Sequence, residues 1–211
     1  MAVMVDQLTE VRLGYSLLDL HHAGGDCIRF IPETALSQAG KKGPLLLPGQ
    51  KFGKHNLFFT RNAQALGQLA KNDALASGQR TAAVLFRDGD GTQSDPKSQW
   101  QDKFNSILRG FELVDYPSGV PMVPRPKSEA WLLCALRPPA YLNCAQLEEA
   151  SGNDASPNSL KRQLEQVAGT AGADEQAEWL RGGTVDVNRI NMPSFNAFRS
   201  ALERALNAAL A

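Results

Sequence analysis

Apolar positions in this chain fall into short continuous runs and longer helical stripes that alternate. MAVMV, residues 1–5, is a continuous apolar run closed by Asp6, which reads as a first short strand. LTEVRLGYSLLDLHHAG follows with Leu13, Leu17 and Leu20 at helical spacing, and Gly24-Gly25 stops it. DCIRFIPE reads as a second strand closed by Pro32. Residues 34–55 hold KKGP, LPGQ and KFGK, a Gly/Pro/Lys-rich loop long enough to expect a functional role. Asn56 to Ala76 reads as a helix, with Leu57, Leu66 and Leu69 on one side. A third strand runs through Val84, Leu85 and Phe86, rich in β-branched and aromatic character. KSQWQDKFNSILRGF is a helix with Trp100, Phe104, Ile107, Leu108 and Phe111 as its apolar stripe. GVPMVP is a fourth strand, and KSEAWLLCAL a helix entered through the stiff PRPK.

The resulting order is β-α-β-(loop)-α-β-α-β-α. Such alternation predicts an α/β fold, a mainly parallel sheet flanked by helices. After Arg137-Pro138-Pro139 the pattern changes. SGNDASPN is turn-rich, and three helical pieces follow: SLKRQLEQVAG, DEQAEWLRGG and SFNAFRSALERALNAAL. The last carries Phe195, Phe198, Leu202, Ala205 and Leu206 on one face. The expected division is therefore an α/β domain over 1–137 and a helical C-terminal extension over 138–211, packed on that domain or on a partner.

Composition narrows the function. The chain has 211 residues, with 22 Lys+Arg and 22 Asp+Glu, so its net charge is zero and no global basic footprint marks a nucleic-acid binder. Cys27, Cys134 and Cys144 lack metal-ligand spacing. Cys27 and Cys134 fall in apolar runs, so buried free thiols are expected. MAVMV is too short for the apolar core of a signal peptide, and no apolar run reaches the ~20 residues that span a bilayer. The expectation is a cytoplasmic protein with no membrane association.

The candidate chemistry lies where strands end. VMVDQLTE places Asp6 and Glu10 after the first strand, and FRDGDG places Asp88 and Asp90 after the third. PRPKSEAW places Glu129 after the fourth, flanked by Arg125 and Lys127. In a parallel sheet these ends face one way, and ligands of open α/β sheets bind there. Carboxylates gathered at one rim repel each other unless a cation sits among them, and oxygen donors suit Mg²⁺ or Mn²⁺. The same Asp-Gly-Asp-Gly residues also serve as ordinary turn chemistry. The calcium-loop pattern fails, because position twelve is Gln99. No G-x-S-x-G, P-loop or G-x-G-x-x-G motif is present. Adjacent His21 and His22 point about 100° apart on a helix and do not form a chelating pair.

An opening strand ending in an acid, a following Thr-Glu, and a later Asp-x-Asp after a hydrophobic strand together resemble the Toprim domain. That fold occurs in topoisomerases, primases and nucleases of the overcoming-lysogenization-defect type. VPRPKSEAWLLCAL is similar to a Pro-rich strand and Glu-Ala-Trp-Leu helix in small bacterial Toprim-related proteins, often encoded beside ATPases. The resemblance covers residues 1–137. Asp6 stands where the pattern usually has glutamate, and Gln7 where it usually has glycine. The resemblance implies a Mg²⁺- or Mn²⁺-dependent nuclease, cleaving DNA or RNA as the effector of a bacterial anti-phage defence complex with an ATPase. Asp88 and Asp90 would hold the metal, and Asp6 would be a ligand or general base. Glu10 would compensate for the shorter Asp6, and Glu129 would complete the acidic rim. Arg87, Arg125 and Lys127 would neutralise the scissile phosphate. The alternative is a catalytically weakened interaction subunit docking on the ATPase. Both readings leave a homo-oligomer open.

Overall fold

A computed structural model of the chain describes residues 1–41, 54–89, 97–170 and 172–211; for 40, 41, 54–56, 97 and 98 only the backbone is described. In chain order these residues form α1 (Ala2–Leu13), α2 (Leu17–His22), α3 (Glu33–Lys41), α4 (Lys54–Ser77), β1 (Ala83–Phe86) and α5 (Lys97–Glu112). Then come β2 (Gly119–Met122), α6 (Ser128–Leu136), a 3-10 turn (Cys144–Glu149), α7 (Leu160–Ala168), α8 (Ala173–Arg181), a second 3-10 turn (Val187–Arg189) and α9 (Pro193–Leu210). The chain is mostly helical, and its sheet among the described residues is one parallel pair, β1 and β2. The expectation of a mainly parallel sheet is corrected to a helical protein with a two-stranded parallel core.

Two predicted strands account for the difference. Residues 1–5 belong to α1, not to a strand. No Gly or Pro interrupts the chain before Gly14, so nothing punctuates the apolar run, and Ala, Met, Gln, Leu and Glu carry a helix through it. The helix ends where Gly14 adopts a left-handed φ of 80° and its N–H bonds the Glu10 carbonyl. Residues 26–32 have no regular structure, and Phe30 is 67% exposed. The expected loop over 34–55 begins instead with α3, and residues 42–53 lie outside the described set.

The chain divides into two compact units. One comprises Met1–Arg29, Asp88–Asp95 and Val123–Ala197; the other comprises Phe30–Arg87, Pro96–Met122 and Phe198–Ala211. Each is assembled from three chain segments, whereas the sequence pattern placed one boundary after residue 137.

The unit containing the sheet is a β-α-β arrangement with α4 packed on α5. Ala83 pairs with Gly119, Val84 with Val120, Leu85 with Pro121 and Phe86 with Met122. The Phe104, Ile107 and Phe111 stripe of α5 is buried, as its period predicts. Gly110 lets the helices meet, since a Cβ there would strike the Thr60 carbonyl and the Ala63 side chain of α4. The other unit is built around α6. Ala130 through Ala135 are all buried, so this helix is covered on every side rather than along one stripe. Its Trp131 donates an indole hydrogen bond to Ser194 Oγ at 2.8 Å and stacks edge-on against Phe195, with ring centroids 4.9 Å apart. The buried Glu148 carboxylate accepts from the Ser194 N–H at 2.7 Å, capping the start of α9. The apolar residues of α9, Phe195, Phe198, Ala201, Leu202, Ala205 and Leu206, are buried within this chain.

Cys134 and Cys144 form a disulfide, with Cα atoms 5.0 Å apart, and Cys27 is a half-buried free thiol. The expectation of buried free thiols is thus corrected at Cys134 and Cys144. Spacing in the sequence gives no hint of it, because the bond depends on the chain turning back from α6 through Pro138-Pro139. No described helix is long and apolar enough to cross a membrane.

Candidate functional site

The parallel register sets the carboxyl ends of β1 and β2 side by side, and pairing continues past both strands. Arg87 N–H bonds the Met122 carbonyl and Gly89 N–H bonds the Pro124 carbonyl, each at 3.0 Å. Asp88, between them, reaches α6. Its Oδ1 accepts the Ser128 backbone N–H at 2.9 Å. Lys127 occupies the N-cap position of α6 and makes no side-chain cap, so Asp88 supplies the cap from outside the helix. A carboxylate at this end also meets the positive end of the helix dipole.

Glu129 lies in the same first turn. Its Oε2 is buried and has no hydrogen-bond partner among the described residues. A buried acceptor left unsatisfied costs about 1–3 kcal/mol, and more when charged. Lys127 Nζ pairs with Asp154 at 2.9 Å. Arg125 is half-buried and forms no ion pair among the described residues. Asp88 is thus bonded to the first turn of α6, to which Glu129 belongs and which Arg125 and Lys127 precede in the chain.

The remaining candidates are placed differently. Asp6 lies inside α1 and is buried. Its Oδ2 accepts from the Ser16 hydroxyl at 2.7 Å, and its Oδ1 accepts the N–H groups of Leu17 and Leu18 at 2.8 and 3.0 Å. Expected as metal ligand or base, Asp6 is in this structure the acceptor that starts α2. Glu10 is exposed on α1, about one turn further on. Arg87 pairs with Glu33 at 2.6 Å, and its guanidinium lies 5.4 Å from the Phe58 ring centroid, so its charge is already matched. Asp90 lies outside the described residues. Among the described residues, no three His, Cys, Asp or Glu side chains gather as a metal group.

Sequence reasoning missed Ser16, Glu33 and Asp154. Ser16 had a signal, since S-L-L-D is a capping pattern, and its hydroxyl accepts from Asp19 N–H at 3.0 Å. Glu33 and Asp154 had none, because each pairs with a residue far away in sequence.

The donors described at this rim are two carboxylates. Mg²⁺ is commonly held by one or two carboxylates, the rest of its shell being water and substrate phosphate. Among the described residues the buried Glu129 oxygen is an unpartnered acceptor of the kind such an ion takes. No family model, curated protein or solved structure matches this chain.

Proposed function

We propose that the chain is a Toprim-related, Mg²⁺- or Mn²⁺-dependent nuclease subunit whose site is the rim formed by Asp88, Glu129, Arg125 and Lys127. The buried Glu129 oxygen, without a donor among the described residues and in the helical turn that Asp88 caps, carries this reading. A bound divalent ion supplies polarisation of a phosphoryl oxygen and a more acidic water. Glu129 and Asp88 hold it, and the α6 N-terminus behind them favours the anionic substrate. Arg125 orients a phosphate oxygen by charge-assisted hydrogen bonds. Lys127, paired with the exposed Asp154, adds positive charge at the same connection. Zero net charge leaves little sequence-independent grip on DNA or RNA, so a partner completes that grip. By resemblance, the partner is an ATPase and the setting an anti-phage defence complex in the cytoplasm.

The test is cleavage of single- and double-stranded DNA and RNA with Mg²⁺ or Mn²⁺. We expect Glu129→Gln to abolish cleavage and weaken Mn²⁺ binding about tenfold, while the far-ultraviolet spectrum stays native. Wild-type cleavage by Glu129→Gln would return that oxygen to a purely structural role.

A second reading is favoured by one observation, the three hydrogen bonds that engage the Asp6 carboxylate. It makes the chain a catalytically weakened subunit that docks on the ATPase. Metal-independent co-purification with the ATPase, together with no cleavage in the complex, distinguishes it. The stripe of α9 is buried, so docking would use another face.

A further inference from the structure

We propose that Asp154 is a built-in competitor of the phosphodiester. Its carboxylate holds, on the Lys127 ammonium, the place that a backbone phosphate of the nucleic acid takes, and it is displaced when the strand binds. This role rests on the nuclease reading of the rim and adds how access to that rim is controlled.

Three observations carry it. First, the two members of the pair are unequally placed. Lys127 Nζ lies 2.9 Å from Asp154 Oδ2, yet the lysine side chain is 15% exposed and the aspartate side chain 58%. The lysine stem is therefore held by its surroundings, whereas the carboxylate reaches the ammonium from the solvent side, the side from which a strand arrives. Second, Lys127 is the N-cap residue of α6, one residue before the Ser128 N–H that Asp88 accepts. An anion on this ammonium thus sits at the proposed rim, at the positive end of the helix dipole. Third, Asp154 belongs to the turn-rich segment that leads into α7, not to a helix or strand. The backbone there is tied by its neighbours: Asn153 Oδ1 accepts the Ala155 N–H at 2.9 Å, and the Asn153 carbonyl accepts the Ser156 N–H at 3.0 Å. Neither bond uses the Asp154 carboxylate, so that side chain can swing off Lys127 without breaking the turn. An ion pair with an exposed member contributes little, and a phosphate oxygen accepts the same charge-assisted bond, so the exchange costs little.

The experiment is a fluorescence-anisotropy titration of labelled oligo(dT) and oligo(U) with the full chain, with Ca²⁺ in place of Mg²⁺, over a series of low salt concentrations. Wild type, Asp154→Asn, Lys127→Gln and the double variant are compared. Asp154→Asn should tighten binding about threefold, the scale of one exposed charge pair. It should also steepen the slope of log K against log salt by about 0.7, the increment for one further phosphate neutralised on a single strand. In the Lys127→Gln background the same change should alter neither affinity nor slope. That dependence on Lys127 separates a displaced counter-ion from a general loss of negative charge, which acts in both backgrounds. Equal binding by wild type and Asp154→Asn, or a gain that persists without Lys127, overturns the role of Asp154 and leaves the rim reading standing. Absence of saturable binding of either strand by any of the four chains overturns both.

Discussion

Asp6 and Glu129 are both acids near helix starts, yet their surroundings differ. Each Asp6 oxygen has a donor, whereas Glu129 Oε2 has none among the described residues. Replacing Asp6 by Ala removes the acceptor for two backbone N–H groups and a hydroxyl. The expected loss is about 1–3 kcal/mol of stability, read as a lower urea midpoint, with Mn²⁺ binding unchanged. An unaltered midpoint with lost metal binding would restore Asp6 as a ligand. Tyr116 gives a second prediction at this scale. Burial pushes its hydroxyl pKa up from the ordinary 10.0, opposed in part by its hydrogen bond with the Thr81 side chain. The folded state therefore favours the neutral phenol. That contribution is complete below the unfolded value and is lost as pH rises through the raised folded one. Urea midpoints should fall as pH rises past the ordinary 10.0 and through the raised folded value, and Tyr116→Phe should flatten the fall. The Phe variant should also lose about 1 kcal/mol at neutral pH, because the Thr81 carbonyl loses the phenol donor it accepts at 2.7 Å.

Among the elements, α6 joins the candidate rim at one end to the Cys134–Cys144 disulfide at the other. The native chain should react with one equivalent of a thiol-alkylating reagent, at Cys27, and with all three cysteines only after reduction and unfolding. Three equivalents under native, non-reducing conditions would show that the bond does not form. Such bonds are uncommon in cytoplasmic proteins, so the same labelling in fresh cell extract tests the expected location. Closing so short a loop contributes roughly 2–3 kcal/mol, the amount a Cys134→Ala/Cys144→Ala chain should lose. This element also shows what the sequence could convey. From α4 to α6 the pattern is legible, since long stripes and a strand bounded by turn residues leave little ambiguity. The position of Asp88 just past a strand and of Glu129 in the first turn of a helix was readable for that reason. MAVMV and DCIRFIP were not, because a short apolar run fits a helix, a strand or an irregular segment equally well. The misplacement of Asp6 follows directly from the first of these. The disulfide and the Arg87–Glu33 pair depend on where distant segments meet, which local periodicity does not encode.

At the scale of the whole molecule, the change in composition after Arg137 is real, but the compact units do not follow it. A fragment of residues 1–137 removes Cys144, Leu147, Leu160, Leu164, Leu180 and Phe195, all at most 4% exposed, from the unit built around α6. It also removes Phe198, Ala201, Leu202, Ala205 and Leu206 from the unit that holds the sheet. Burial of one large apolar side chain contributes about 1.5–3 kcal/mol, and a domain's net stability is about 5–15 kcal/mol. Either loss alone is therefore comparable with the whole stability of a unit, and the fragment suffers both. It should lack a cooperative thermal transition and show reduced helical signal per residue, even if it is expressed in soluble form. The full chain should melt cooperatively under the same conditions. Native-like, cooperative melting of the fragment would instead establish an independent domain ending near residue 137, with the remaining helices as an appendage.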